Sequence, residues 1–186
     1  MGDWLTTLFG LVCGQLPAHT SAPGGIPLPF CQRCTGLYAG AAIAAAMHVL
    51  LRIRAGTRFL QLHGIFLLAM VPLGFHWLPQ DEFVRMISGV VFGAGVVSYL
   101  WLTAGPHLFT LRDLDRRGAF AYSAAITATV VLVPLSASHG GIASWRVLVV
   151  AATSGLAALA LLVLVNLWPA ARSLAAWSFQ VRARGT

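Results

Sequence analysis

The chain has 186 residues, of which 58% are hydrophobic and only 9% are charged. A soluble domain of this length carries about a quarter charged residues, so the composition excludes an ordinary water-soluble enzyme and indicates a protein that uses lipid as its solvent. The formal net charge of +7 is explained by the membrane topology predicted below, so we expect no nucleic-acid partner.

Residues 1–34 precede the first apolar span and contain the clearest chemical signal in the chain. Residues 1–16 are too short to cross a membrane and lack both a basic start and a small-residue cleavage site, so they predict an amphipathic helix on the membrane surface. Residues 18–30 hold three prolines and two glycines, which predicts a loop of fixed shape. This loop leads directly into the C-x-x-C pair Cys31 and Cys34.

Five apolar stretches follow, each long enough to cross a hydrocarbon core of about 30 Å, which takes roughly 20 helical residues. They cover approximately residues 35–53, 59–78, 84–104, 118–137 and 145–168. Because the links are short, we predict one all-α domain, an integral membrane bundle of about five transmembrane helices (35–168) with an N-terminal surface helix. Residues 169–186, with their arginines and tryptophan, predict an amphipathic tail.

Two of the predicted spans carry glycines four residues apart. Gly36 with Gly40 in the first span, and Gly89 with Gly93 in the third, form G-x-x-x-G steps. Such steps let two helix backbones approach closely in a membrane. The first and third spans are therefore predicted to pack against each other.

The arginines divide unequally between the two sides of the membrane if the spans alternate. One side carries nine arginines and two aspartates and the other carries three arginines and three acids, which gives +7 and 0. The positive-inside rule predicts a plasma (inner) membrane protein with its N-terminus and cysteines outside and its C-terminus in the cytoplasm. The nine arginines are Arg52, Arg54, Arg58, Arg112, Arg116, Arg117, Arg172, Arg182 and Arg184.

The three cysteines predict either redox chemistry or metal binding. Cys31 and Cys34 lie where a helix begins, and the helix dipole and Arg33 would both lower a thiol pKa. A reactive thiolate with Cys13 as resolving thiol indicates thiol–disulfide or quinone-linked redox catalysis. The simplest alternative is a structural disulfide with one cysteine left over, in a structural or accessory subunit of a membrane complex.

A zinc site is the second chemical interpretation of the same residues. Three thiolates from Cys13, Cys31 and Cys34 with one histidine would complete a closed tetrahedral site. His19, His76 and, less directly, His139 lie on the predicted cysteine side. Partners beyond the lipid bilayer would be a thiol protein or another membrane subunit.

Two further groups of residues qualify as candidates. His48 and His63 each lie about one turn from the arginine-rich ends of neighbouring spans, where they could bind a metal or haem iron, although unpaired interfacial histidines are commoner. Arg85 opens the third span beside Asp81 and Glu82. It predicts a salt bridge that clamps the outer loop, or an anion- or cofactor-binding group beside the cysteines.

About the first hundred residues of the chain resemble a known family. C-G-Q-L-P at 13–17 and F-C-Q-R-C-T-G-L-Y-A-G at 30–40 are similar to the motif of DUF2085, a family of small membrane proteins, and Pro72 followed by Arg85 and Gly89 resembles a later family segment. The resemblance implies the membrane fold and the cysteine motif, without a particular reaction. The matching motif residues are Cys13, Gln15, Cys31, Arg33, Cys34, Thr35, Gly36, Tyr38 and Gly40.

The chain departs from the family pattern at two places. Gly14 stands where the family has a histidine after its first cysteine, and Phe75-His76 replaces the usual Asp-Gly. If the family histidine is a metal ligand, His19 or His76 would have to replace it here.

Overall fold

The computed structural model describes residues 3–75 and 77–184, and beyond residue 168 it describes essentially the helix backbone. The described chain is helical apart from short loops, two 3-10 turns at Pro17–His19 and Pro23–Gly25, and one pair of two-residue strands. The helices are α1 (Asp3–Gly10), α2 (Gln32–Leu51), α3 (Thr57–Gly74), α4 (Glu82–Leu108), α5 (Arg116–His139) and α6 (Ile142–Arg184), and the strands are β1 (Ile53–Arg54) and β2 (Arg112–Asp113).

Five of these helices are long and apolar enough to cross a membrane, as the sequence predicted. The spans are α2, α3, α4, α5 and the part Ile142–Trp168 of α6, each within a few residues of its expected bounds. The all-α membrane bundle is thus confirmed. Helix α6 continues without a break to Arg184, so the segment expected to be a separate tail extends the fifth helix.

The core of the bundle is the seam between α2 and α4, where glycines bring the two backbones into contact. A Cβ added at Gly36 would lie 2.0 Å from the carbonyl oxygen of Met86, and one at Gly40 would lie 2.2 Å from that of Val90. From the other side, a Cβ at Gly93 would lie 2.1 Å from the oxygen of Leu37. The predicted packing of the first span on the third is confirmed, and the register shows that α2 and α4 run parallel.

The remaining spans pack on this seam to different extents. Helix α6 approaches α2 so closely that a Cβ at Gly155 would lie 1.8 Å from the oxygen of Tyr38. Helix α3 runs antiparallel to α4, and the Tyr99 hydroxyl donates to the Leu60 carbonyl at 3.0 Å. Only 6% of the residues in the most apolar window of α3 are buried, against 50% in α4, so α3 lies at the margin of the bundle.

Alternation of the spans gives the bundle two chemically different ends. We call the end at which α2, α4 and α6 begin the cysteine end, because Cys31 and Cys34 lie there. The opposite end is called the arginine-rich end, because it carries the two links that contain β1 and β2. These strands pair in parallel, Ile53 with Arg112 and Arg54 with Asp113, and tie the two links together.

Candidate functional site

The three cysteines come together at the cysteine end of the bundle. Cys31 is the N-cap residue of α2 and Cys34 lies in its first turn, so the C-x-x-C spacing alone places these two thiols side by side. Cys13 arrives from the segment after α1 and is 7% exposed. The three sulfur atoms lie within 4.8 Å of one another, and all three cysteines are free thiols. The convergence expected from the sequence is confirmed.

Gln15 holds the Cys13 segment in place. Its backbone has a φ of 46°, in the left-handed region that few residues other than glycine adopt, and this reverses the chain just after Cys13. Its side-chain amide donates to the carbonyl oxygens of Thr6 and Pro29, both at 2.7 Å. One side chain therefore links helix α1 to the loop that leads into Cys31.

An aromatic cluster covers the same site. Phe9 and Phe30 are fully buried, with ring centroids 4.7 Å apart, and the Tyr38 ring lies 5.6 Å from that of Phe9. Leu5, one turn before Phe9, is also buried, so α1 packs its apolar face on the bundle. Trp4 on its other face stays 63% exposed, as expected for a helix at the membrane surface.

The loop between the cysteines is fixed at several points to the rest of the cysteine end. The Ser21 hydroxyl donates to a carboxylate oxygen of Glu82 at 2.6 Å, and the Trp145 indole donates to the Pro27 carbonyl at 3.1 Å. The Gly24 amide donates to the Gly140 carbonyl at 2.9 Å, and its φ of 66° requires glycine. The loop thus has the fixed shape that its prolines and glycines predicted.

The site favours negative charge on Cys13. The Cys31 amide donates to the Cys13 sulfur at 3.2 Å, which places this sulfur against the amino end of α2. Hydrogen bonds from the thiols of Cys31 and Cys34 lower the pKa of Cys13 below its ordinary value. The pKa of Cys31 is raised, chiefly because its thiol donates to Cys13. Cys13 is therefore the thiol of this group whose surroundings favour the thiolate form.

Arg33 makes its hydrogen bonds to α3 and the loop that follows it, and its expected role in stabilising a thiolate stays a prediction. Its guanidinium donates to the carbonyl oxygen of Leu73 at 3.1 Å and to the side-chain oxygen of Gln80. These acceptors lie at the end of α3 and in the following loop, and Gln80 also donates to Leu73. Arg33 therefore ties α2 to the end of α3, and its hydrogen bonds give no support to a role in stabilising a thiolate.

The predicted salt bridge of Arg85 is wrong for the described part of the chain. Asp81 instead caps α4 by accepting from the Val84 amide at 2.8 Å, and Glu82 accepts from Ser21. Among the side chains that the structure describes, the single ion pair is Arg54 with Asp113. The Arg85 Nε atom is buried without a hydrogen-bond partner. Its expected role as an anion- or cofactor-binding group stays a prediction.

The histidines expected as a fourth metal ligand have different positions. His19 is half-buried in the turn Pro17–His19, and the group of potential ligand atoms found among the described residues contains the three cysteines without it. His139 ends α5 and is exposed. His76 lies outside the described residues.

At the arginine-rich end, His48 and His63 are both fully buried and contact the same two rings, those of Phe59 and Tyr122. His63 Nδ1 lies 2.8 Å from the Phe59 carbonyl oxygen, so it donates there, and Nε2 accepts from the Tyr122 hydroxyl at 2.7 Å. Because both nitrogens of His63 are engaged, this histidine is a member of a packed aromatic cluster and has no nitrogen left for iron.

Comparison with known proteins identifies the first half of the chain. Residues 13–99 match the model of a family described as predicted membrane protein (DUF2085). The match contains all three cysteines, the first two spans and most of the third, so the resemblance seen in the motif is confirmed. No curated protein and no solved structure matches the chain.

The roles of three residues at the two ends of the bundle could not be predicted from the sequence. Gln15 was noted only as a motif residue, and its left-handed φ gives no local signal. Phe9 was one of several apolar residues in α1, and nothing in the spacing marked it as the cover of Cys13. Tyr122 is a single tyrosine in an apolar span, and only the packing of α5 beside α3 brings it to His63.

Proposed function

We propose that the protein is a membrane metal-thiolate protein, which binds a thiophilic ion of the zinc class through Cys13, Cys31 and Cys34. The observation that carries this proposal is that all three sulfurs lie within 4.8 Å of one another. A disulfide needs only two sulfurs to approach. Three sulfurs around one point are what a metal requires.

The spacing of the sulfurs suits a tetrahedral ion. A zinc–sulfur bond of about 2.3 Å places two sulfurs of a tetrahedral site about 3.8 Å apart. A group whose members are no more than 4.8 Å apart needs only small side-chain rotations to reach that distance. Three thiolates leave the fourth position for water, a substrate or a histidine such as His19 or His76.

The surroundings of the site support an anionic ligand set. The sulfur of Cys13 already accepts the Cys31 amide at the amino end of α2, where the helix dipole favours negative charge. Cys13 is almost fully buried, while Cys31 and Cys34 are half-buried, so an ion reaches the site from the side of α2. An open fourth position and partial access are features of sites that exchange a ligand.

Metal content and affinity test the proposal directly. Protein purified under reducing conditions should take up one zinc ion per chain, measured by elemental analysis and by competition with a chromophoric chelator. Cys13→Ser should lower the affinity by about 100-fold or more, because a primary ligand is lost. His139→Ala, at the same end but outside the sulfur group, is the control and should bind as the parent does. Absence of bound metal together with a free-thiol count of one would overturn the proposal.

Thiol–disulfide exchange is the second candidate function. Any two of the three sulfurs are close enough to pair with small movements, because Cys13 contacts the very turn that carries the C-x-x-C pair. Two thiols would lose two protons and two electrons as their S–S bond forms, and a partner's disulfide would take these up and open to two thiols. A quinone would take up the same protons and electrons and become a quinol.

A single variant distinguishes the two candidates. Cys34→Ser should trap Cys31 in a mixed disulfide with a partner protein or with Cys13 if exchange is the function, which non-reducing electrophoresis detects. Under the metal function the same variant loses zinc and traps no adduct. If the parent chain binds no metal and the variant forms no adduct, both candidates fail. The remaining function is then that of an accessory subunit in a membrane complex.

We propose that the protein lies in the plasma membrane, with its cysteine end facing outward and its C-terminus in the cytoplasm. The support is the charge difference of +7 against 0 between the two sides. A C-terminal fusion to a reporter that is active only outside the cytoplasm should stay inactive. An active reporter would reverse the orientation and place the thiols in the reducing compartment.

A further inference from the structure

A cavity of about 900 Å³ opens between α3 and α5 at the arginine-rich end, well away from the cysteines. Its inner walls are largely apolar, with Phe59, Leu62 and Phe66 from α3 and Ile126 from α5. Ligand pockets of roughly this volume hold molecules of lipid or drug size. The cavity plays no part in the proposed metal function, so we consider it as a separate binding site.

Its mouth is basic. Arg54 and Arg58 line the opening, together with Asp113 as the acid. Arg54 and Asp113 are 3.8 Å apart, with side chains 62% and 85% exposed, so this pair is loose and solvated. The Arg58 side chain has no ion-pair partner among the described residues. The two arginines and one aspartate at the opening therefore give it a net charge of +1.

The start of α3 adds to the positive potential. Gly56, Thr57 and Arg58 lie at the mouth, and no side chain caps this helix. The next two spans, in contrast, begin at aspartates that cap them, Asp81 on α4 and Asp115 on α5. Uncapped amide groups at a helix start and two guanidinium groups together suit the oxygens of a phosphate.

Deeper in the cavity the polar groups satisfy one another. The Tyr122 hydroxyl donates to His63 Nε2 at 2.7 Å, and His63 Nδ1 is occupied by the Phe59 carbonyl. The inner part therefore presents mostly rings and aliphatic carbon to whatever enters. Helix α3 is the least buried span, so the cavity borders directly on the lipid. A ligand with an anionic head and an apolar tail fits both regions at once.

We propose that this cavity is a binding site for an anionic phospholipid taken from the adjoining leaflet. Its phosphate lies between Arg54 and Arg58, at the start of α3. Its acyl chains run along Phe66 and Ile126 toward the bilayer centre. A second copy of this chain is the poorer occupant, because an apolar helix would offer no anion to Arg58, which has no ion-pair partner among the described residues.

Lipid binding by the full-length protein in mild detergent tests the proposal. The probes are phosphatidylglycerol and phosphatidylcholine with identical acyl chains, and native mass spectrometry measures the occupancy of each. Phosphatidylglycerol should bind about tenfold tighter or more, and Arg54→Gln with Arg58→Gln should remove that preference. Arg116→Gln with Arg117→Gln is the matched control, because it removes the same charge at the same end outside the cavity, and it should bind as the parent does.

A second variant tests the volume independently of charge. Ser123→Trp fills the cavity from α5 and should abolish the retained lipid while the helical content and melting temperature stay unchanged. Equal weakening by both arginine pairs would overturn the proposal, because it would show attraction to surface charge in general. Equal binding of the two lipids, or a retained neutral molecule or second chain in place of phosphatidylglycerol, would overturn it as well. Cys13→Ser should leave lipid binding unchanged.

Discussion

The candidate sites at the two ends of the bundle differ in how far the protein covers them. At the cysteine end, helix α1 and a pinned loop cover the start of α2, so that Phe9 and Phe30 are fully buried and Cys13 nearly so. At the arginine-rich end the links are short, Asp113 is 85% exposed, and a cavity of about 900 Å³ stays open between two spans. A cavity of about 910 Å³ also opens at the cysteine end, between α1, the loop and the start of α6. The difference therefore lies in the sites themselves: the three sulfurs form a compact, covered group for a small ion, and the cavity between α3 and α5 is a roomy site that borders on lipid.

This difference shows how one helical scaffold can carry two kinds of site. A small soft ion needs ligand atoms fixed to within a fraction of an ångström, and this requires a covered, hydrogen-bonded setting. An amphipathic ligand needs volume, a charged mouth and access from the bilayer, and a marginal helix such as α3 provides them. The seam of α2 and α4 supports both ends, because α2 carries two of the cysteines and α3 and α5, which line the cavity, pack on α4.

Breaking that seam should have the largest effect, because it removes the support common to both ends. Gly40→Leu places a side chain where even a Cβ would lie 2.2 Å from the Val90 oxygen. Overpacking of a tight core costs about 1–3 kcal/mol, and a clash with backbone costs more. We expect loss of the cooperative melting transition in detergent. Gly74→Leu is the control, since a Cβ at Gly74 meets nothing within 4 Å, and an equal loss there would refute the importance of the seam.

Uncovering the cysteine end should have an intermediate effect that stays at that end. Phe9→Ala removes a buried ring from the cover of Cys13, a kind of truncation that costs about 3–5 kcal/mol in soluble cores. Helix α1 should loosen and zinc affinity should fall about tenfold, while phosphatidylglycerol binding stays unchanged. Phe120→Ala, at a ring that is 77% exposed, is the control for both assays. Parallel loss of lipid binding would show that the two ends are coupled.

The smallest effect is expected from removing the acid at the mouth of the cavity. Asp113→Asn takes away the carboxylate beside Arg54, so the mouth becomes more positive and phosphatidylglycerol should bind a few times tighter, on the order of 0.5 kcal/mol. Stability should hardly change, because the pair is loose. Asp115→Asn changes charge equally while keeping a capping side chain, and it should leave lipid affinity as it was. Weaker binding in Asp113→Asn would contradict the assigned role of the mouth.

The sequence allowed the spans, the glycine seam and the cysteine cluster to be predicted, while the partners of the charged residues were predicted poorly. Spans and G-x-x-x-G steps depend on local composition and spacing, which lipid turns into structure directly. The predicted salt bridge of Arg85 failed, and the acceptors of Arg33 were not foreseen, because a long side chain can reach several acceptors. Which one it takes depends on where α3 ends, and the Leu73 carbonyl became the acceptor of Arg33.

What the sequence by itself determined is the membrane bundle and the adjacency of Cys31 and Cys34. An apolar run of sufficient length must form a helix in lipid, because each backbone amide needs a partner there, and a C-x-x-C pair at a helix start is close by geometry. Only the tertiary structure decided that Cys13 joins that pair, since the reversal at Gln15 and the burial of Phe9 are long-range events. Only the tertiary structure revealed the cavity as well, because the sequences of α3 and α5 do not show that the two spans stand apart at the arginine-rich end.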